Sequence, residues 1–247
     1  MSWFTFFSVV DWEALVEPFR TLLFPSHCAG CGCRVPEHAD LCGDCLSKIA
    51  WIERPHCEVC SQPFHGVTPT FTCPNCRGEA FFFECAVAVS LSRSVVRDLV
   101  HRLKYGREIW LGRVLAGLME RGLADPRLAG CEFDCLIPVP LHPRRQRERE
   151  FNQAAVIAQA LAKRVDIPIQ EALLRRRYTT TQTALDRKGR RQNLRDAFVL
   201  RKNVRVTDQD ILLVDDVLTT GSTLDACAEV LLDAGASSVR ALTVARG

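Results

Sequence analysis

From residue 83 onward, short apolar runs alternate with stretches in which apolar residues return every three or four positions. Val87, Val89 and Leu91 alternate as a strand does. Leu99, Val100 and Leu103 share one face of a helix predicted over 95–104, and Leu111, Val114, Leu115 and Leu118 do the same over 109–124. Residues 135–139 read as a short buried strand stopped by Pro140, and 154–165 as a helix. A weaker strand closes at Val199, after Ala197. The run 211–214 is continuously apolar, a helix over 223–234 is stopped by Gly235, and 239–244 is a last strand. Strands alternating with helices predict an α/β domain over 83–247, a mostly parallel sheet with helices on both faces.

Upstream, the pattern changes twice. Residues 1–24 place Phe4, Phe7, Trp12, Leu15, Phe19, Leu22 and Leu23 at near-helical spacing before Pro25. Such a face docks on its own protein, or else on a partner or a membrane surface. Residues 25–82 are rich in Cys, His, Gly and Pro and leave little room for an apolar core. Eight of the thirteen cysteines form four Cys-x-x-Cys pairs there. Cys28/Cys31 and Cys42/Cys45 are ten residues apart; Cys57/Cys60 and Cys73/Cys76 are twelve apart. Gly32 and Gly78 follow two of the pairs and Gly43 lies within a third, as a knuckle turn around a thiolate requires.

This spacing predicts two tetrahedral four-cysteine Zn²⁺ sites in a double zinc ribbon. Closed thiolate coordination makes the metal structural, and it supplies most of the folding free energy of so short a segment. Consecutive pairs making each site is the chosen arrangement. Interleaved pairs, redox pairs or an iron–sulfur cluster are alternatives, and Cys33 is a spare ligand beside Cys31. His27, His38, His56 and His65 could substitute as ligands. Cys85, Cys131, Cys135 and Cys227 sit in apolar contexts, as buried fillers do.

Composition narrows the class. Hydrophobic residues make up 47%, enough for a sizeable core, and a net charge of only +3 means that any basic function is local. The first ten residues lack a basic leader and run into Asp11, Glu13 and Glu17. No uncharged stretch approaches the roughly 20 residues a bilayer span needs, so no transmembrane segment and a cytoplasmic location are expected.

The most informative run extends from Ile211 to Thr223. An apolar strand delivers Asp215 and Asp216 to its C-terminal edge, where ligands of open α/β sheets bind. Gly221 is available for positive φ in the turn that follows. The amides of that turn, the hydroxyls of Thr219, Thr220, Ser222 and Thr223, and the positive end of the next helix can all face one phosphate. The carboxylates then lie one sugar-length away, where they can accept ribose hydroxyls or hold them through Mg²⁺. Helix capping alone would explain one or two of these residues, not the whole order.

Two basic segments flank this run. The first, 140–153, contains His142, Arg144, Arg145, Arg147 and Arg149 and reads as a charged loop entering a helix at about residue 152. The second carries Arg175, Arg177, Gln182, Arg190, Arg191 and Asn193 and, over 174–195, sets eight basic residues against Asp186 alone. It is long for an ordinary connection, as lids are. Arg pairs bidentately with phosphate oxygens, so both segments suit pyrophosphate. A lid closing on the departing pyrophosphate, a nucleic-acid backbone site and a plain surface loop all fit the second.

The Ile211–Thr223 string resembles the signature of type I phosphoribosyltransferases, which bind phosphoribosyl pyrophosphate (PRPP). That resemblance implies Asp215 and Asp216 on the ribose, with Leu218, Thr219, Thr220, Gly221, Ser222 and Thr223 around the 5-phosphate. Leu173, Arg175, Arg177, Thr179, Gln182 and Leu185, then Arg190, Asn193, Leu194, Ala197 and Phe198, together with Ile137–His142 and Phe151–Gln153, narrow it further. The whole resembles the competence protein F (ComF/GntX) family, whose members begin with a cysteine-rich module. The resemblance implies a role in DNA uptake, competence or use of external DNA, with single-stranded DNA and DNA-uptake or recombination proteins as partners. Phosphoribosyl transfer to an unidentified acceptor and non-catalytic PRPP or nucleotide sensing are both compatible with it. Family members carry Gly where this chain has Glu150, which removes easy access to positive φ at that point.

Overall fold

The computed structural model describes residues 26–66, 68, 70–177 and 197–247. The helix predicted over 1–24 and the stretch holding Gln182, Arg190, Arg191 and Asn193 lie outside the described residues. The chain forms two units, Met1–Ser47 and Lys48–Gly247.

The described part of the first unit is a metal-knuckle fold with little apolar filling. The Gly32 amide returns to Cys28 O and the Cys28 amide to Cys33 O, both at 2.8 Å, with Gly32 at φ +76°. A short helix α1 (Gly43–Ser47) follows, with Asp44 in its first turn and Cys45 buried beneath it.

The second unit is built on a four-stranded parallel sheet in the order β1 (Ala86–Leu91), β6 (Ser238–Arg246), β5 (Asp210–Leu218), β2 (Cys135–Pro138). Both outer edges are covered. Residues 50–52 bond along β1, and the Pro168–Gln170 segment bonds along β2, with Ile169 opposite Leu136 in parallel register. A separate antiparallel pair joins β3 (Leu173–Arg175) to β4 (Phe198–Leu200). β3 falls where sequence reasoning places the start of a long loop; a three-residue strand is too short to leave a periodic signal.

Strand alternation sends successive side chains to opposite faces. Ile211 and Leu213 of β5 join Ala86, Ile137, Val239 and Ala241 in a core with Leu224, Cys227, Ala228 and Leu231 of helix α6 (Ser222–Asp233). Leu212 and Val214 point the other way, toward α3 (Leu111–Glu120) and α5 (Gln153–Val165), which also pack on one another. The helix predicted over 109–124 is therefore α3 followed by a 3₁₀ turn, Arg121–Ala124. That turn lies flat on the sheet because Gly122 has no side chain: an added Cβ would meet Leu242 at 2.5 Å and Val89 at 2.7 Å. Helix α2 (Ser94–Tyr105) precedes α3 and buries Val96, Leu99, Val100 and Leu103.

One expectation is corrected in 140–152. In place of a charged loop, Pro143–Arg149 form helix α4, with Pro143 in its first turn and the His142 ring accepting the Arg144 amide as N-cap. Its C-cap is Glu150, at φ +73° and ψ −13°. The left-handed turn that glycine would supply is thus made by glutamate, at a cost of about 1 kcal/mol.

Candidate functional site

β5 is longer than its apolar run. It extends past Val214 to Leu218, pairing with β6 as far as Arg246, whereas its other neighbour β2 stops at Pro138, opposite Val214. Asp215 and Asp216 therefore stand in a notch, backed by β6 on one side and open above the end of β2 on the other. Alternation then separates them. Asp215 continues the Ile211–Leu213 face, toward α6 and Arg175; Asp216 continues the Leu212–Val214 face, toward α5 and α2.

Asp216 is 3% exposed and held from two elements. Gln153 Nε2, from the first turn of α5, donates to its Oδ1 at 3.0 Å, and the Lys104 ammonium, from the last turn of α2, pairs with its Oδ2. Arg149 in turn donates to Gln153 Oε1 and lies 5.3 Å from the centre of the Tyr105 ring. Asp215 keeps some solvent contact, but burial of its carboxyl, then the neighbouring Asp216 charge, push its pKa well above the usual carboxylate range. Its Oδ1 accepts the Asp216 amide at 2.9 Å. The pair thus combines a carboxylate held by Lys104 and Gln153 with one whose burial beside it disfavours charge, an arrangement that a cation or a ligand hydroxyl at Asp215 would relieve.

The turn after β5 forms as its residue types require. Gly221 adopts φ +82° and caps α6, whose first turn starts at Ser222. Thr220 Oγ1 and Ser222 Oγ lie 3.0 Å apart, and the Ser222 amide approaches Thr220 Oγ1 at 3.4 Å. Thr219 is exposed and Thr223 half-buried, whereas Leu218 is 1% exposed, so Leu218 contributes main chain only. The sheet and α6 thus bring Asp215, Asp216 and the 218–223 turn together at one end.

The flanking basic residues divide. Arg175, on β3, lies 5.2 Å from the Phe198 ring centre; burial lowers its pKa, and the field of Asp215 opposes that shift. Among the described residues of the second basic segment, Arg175 is the one that feels the charge of Asp215. Arg177 is exposed two residues further on. His142 serves as the α4 cap, and Arg144 is exposed and bonded to Glu148 at 3.1 Å. Sequence reasoning did not single out Lys104 or Gln153 for the site, and it placed Arg149 only as one of several basic residues in the first segment. Arg149 and Gln153 lie within quoted motifs, and Lys104 looks like any basic residue closing a helix.

The cysteines converge by consecutive pairs. Sγ atoms of Cys57, Cys60, Cys73 and Cys76 lie within 4.8 Å of one another, all buried, and the Cys73 amide donates to Cys57 Sγ at 3.4 Å. In the first unit the group meeting that distance is Cys28, Cys31, Cys33 and Cys42. Cys45 is also present, with its thiol against those of Cys28, Cys42 and Cys31. Five thiols share this knuckle, and Cys33 competes with Cys45 for the fourth position. Burial raises the Cys28 pKa, but amides of Cys42, Cys31 and Gly30 outweigh it and bring it down to about 6. Thiolates solvated by amides and grouped in fours suit structural Zn²⁺ and leave no open position for catalysis.

Arg127 ties the second cluster to the sheet domain. Its guanidinium donates to Cys57 O (3.2 Å), Glu58 O (3.1 Å) and Ser61 Oγ (3.0 Å), and it is ion-paired to Asp125. Burial raises the Asp125 pKa, yet hydrogen bonds from Arg127 and His56 prevail and hold it far below the usual carboxylate range.

Comparison with known proteins agrees with both halves. Residues 19–77 match the family described as Double zinc ribbon domain, and residues 152–247 the Phosphoribosyl transferase domain. Competence protein F of Haemophilus influenzae is 32% identical over 83% of this chain and 90% of its own length. DNA utilization protein YhgH of Escherichia coli O157:H7 is 33% identical over 87% and 95%. Competence protein ComFC of Bacillus subtilis is 26% identical over 83% and 84%. This chain joins a double zinc ribbon to a phosphoribosyltransferase-type α/β domain, its similarity to these relatives spans most of both lengths, and it belongs to the competence protein F family.

Proposed function

We propose that the protein binds PRPP, with Mg²⁺, at the Asp215–Thr223 strand-turn-helix and acts in the uptake or use of external DNA. The observation that carries this reading is the pairing of two carboxylates with an adjacent glycine-capped hydroxyl turn at the mouth of α6. A 5-phosphate fits the turn, and ribose hydroxyls, directly or through Mg²⁺, fit Asp215 and Asp216. Lys104, already on Asp216, supplies positive charge where pyrophosphate would lie. Arg175, and in the undescribed stretch Arg190, Arg191, Gln182 and Asn193, are the residues assigned to the leaving group. Phosphoribosyl transfer would then rest on positioning and charge stabilisation as the C1 bond loosens. The DNA connection rests on the names of the relatives.

A non-catalytic reading, PRPP or nucleotide sensing joined to single-stranded DNA handling, uses the same carboxylates and turn and differs only in lacking an acceptor. Calorimetry separates the possibilities. PRPP should bind only with Mg²⁺, and Asp215→Asn with Asp216→Asn should abolish binding; unchanged affinity rejects the site. A metabolite screen for pyrophosphate release from PRPP identifies an acceptor, and silence across it favours sensing. For DNA, Arg190→Ala with Arg191→Ala should weaken single-strand binding and flatten its salt dependence.

A further inference from the structure

Arg246 is the last residue of β6, beside Leu218 in the sheet register, and only 7% exposed. Its Nη1 donates to Leu218 O at 3.2 Å and to Gly247 O. Its Nε is buried with no hydrogen-bond partner, and no side-chain carboxylate pairs with the guanidinium among the described residues. A buried guanidinium nitrogen with no acceptor is costly, so the cavity that Arg246 lines suits an incoming negative group. Arg246 lines a cavity of about 100 Å³. Its remaining walls are Thr219 and Thr220 of the phosphate turn and Cys60, Asn75 and Cys76 of the second cysteine cluster. The cavity has room for a small tetrahedral oxyanion.

We propose that this cavity is the rear half of the phosphate site, so that the ligand's phosphate is held by Arg246 and the Asn75 side-chain amide as well as by the turn. The inference rests on the reading of 218–223 as a phosphate turn and extends the site to a residue of β6 and a residue of the zinc knuckle. The turn supplies hydroxyls and amides but no full positive charge; Arg246 supplies that charge from behind, through a charge-assisted hydrogen bond. Asn75 sits between the ligand cysteines Cys73 and Cys76, so its position depends on a folded knuckle. The second ribbon thereby becomes a wall of the ligand site. Phe83 and Phe82 reinforce the same junction: the Phe83 ring packs 3.5 Å from where a Cβ on Gly221 would lie, and the Phe82 amide donates to Asp225 Oδ1 in the first turn of α6 at 2.8 Å. The competing partner for Arg246 is the formally dianionic zinc–tetrathiolate itself, and the experiment separates the two.

The zinc-loaded full chain is titrated with ribose 5-phosphate plus Mg²⁺ and, separately, with inorganic phosphate, and zinc content is measured for every variant. Arg246→Gln should weaken both ligands about tenfold or more, with Arg246→Lys recovering part of the loss. Asn75→Ala, an exposed change that should leave the fold intact, should weaken both severalfold with zinc content unchanged. Asp215→Asn with Asp216→Asn should weaken ribose 5-phosphate and spare inorganic phosphate. Wild-type affinity in both Arg246→Gln and Asn75→Ala overturns the proposal, as does zinc loss in Arg246→Gln together with unaltered phosphate binding in Asn75→Ala. Should the wild type bind inorganic phosphate through Arg246 but neither ribose 5-phosphate nor PRPP, the anion site stands and the PRPP reading falls. Binding of none of these ligands by the wild type sinks both.

Discussion

The two cysteine clusters share a spacing rule and differ in surroundings. In the first, Cys28 is buried but Cys31 and Cys33 are exposed and Cys42 half-exposed. In the second, all four cysteines are buried, and they belong to the same core as β5, β6 and α6. One cluster is a local knuckle in which metal replaces an apolar core; the other is part of an apolar core that also contains metal. Identical motifs can therefore carry different energetic weight, and the weight is set by what packs around the thiols rather than by the thiols.

The largest expected effect tests that difference directly. Cys76→Ser should remove one zinc and abolish the cooperative unfolding transition of the α/β unit, since a structural site contributes on the order of 10 kcal/mol. Cys31→Ser should remove or weaken one zinc and leave that transition within about 0.5 kcal/mol of wild type. Calorimetry with zinc stoichiometry reads both, and equal damage from the two substitutions ends the comparison.

Arg127→Ala comes next, at about 3 kcal/mol, because it leaves Asp125 without its guanidinium and Cys57 O and Glu58 O without their donor. Chelator-driven zinc release should then accelerate for the second cluster and not for the first. The same pair sets an acid limit. A carboxyl whose folded pKa lies below its unfolded value contributes stability that is present above about pH 3.9 and lost as pH falls further. Asp125 is such a group, so the wild-type unit should weaken below that pH and Arg127→Ala should flatten the dependence.

How much of this was legible in the chain depends on distance along it. The Ile211–Thr223 run and the Cys-x-x-Cys pairs are local: their residues lie within a turn of one another, so spacing alone dictates geometry. Convergence on the site from elsewhere is not local. Lys104 closes α2, Gln153 opens α5, Arg246 ends β6 and Asn75 sits in a knuckle, and only the strand order and the early end of β2 bring them to one place. Helix α4 was missed because it buries none of its residues and so lacks an apolar face. The choice between Cys33 and Cys45 was equally closed to spacing, since both lie within one turn of the other ligands.

Asp215→Asn sharpens the comparison from the ligand side. For a carboxyl whose folded pKa is raised, the fold favours the protonated form; stability is full below the unfolded value near 3.9 and declines as pH rises toward the raised one. Asparagine removes that decline, so at neutral pH the variant should melt higher, by about 1 kcal/mol in stability, while losing Mg²⁺-dependent PRPP binding. Zinc release from the second cluster should slow and from the first should not. A variant that melts lower at neutral pH would show that Asp215 is not destabilised by its setting.

The smallest effect is also the most local. Glu150 holds a left-handed conformation that glycine adopts freely, and its exposed carboxylate gains only a surface ion pair with Arg107 at 3.0 Å. Glu150→Gly removes strain of about 1 kcal/mol, but glycine also gives the unfolded chain more freedom, which offsets part of the gain. A net stabilisation of about 0.5 kcal/mol in the α/β unit is expected by denaturant titration. Because α4 leads directly into Asn152, the cap of α5, and so to Gln153 on Asp216, any gain should appear in the unit containing the second zinc and leave release from the first cluster unchanged. A loss of stability in Glu150→Gly would mean that the Arg107 pair, not the backbone, governs that corner.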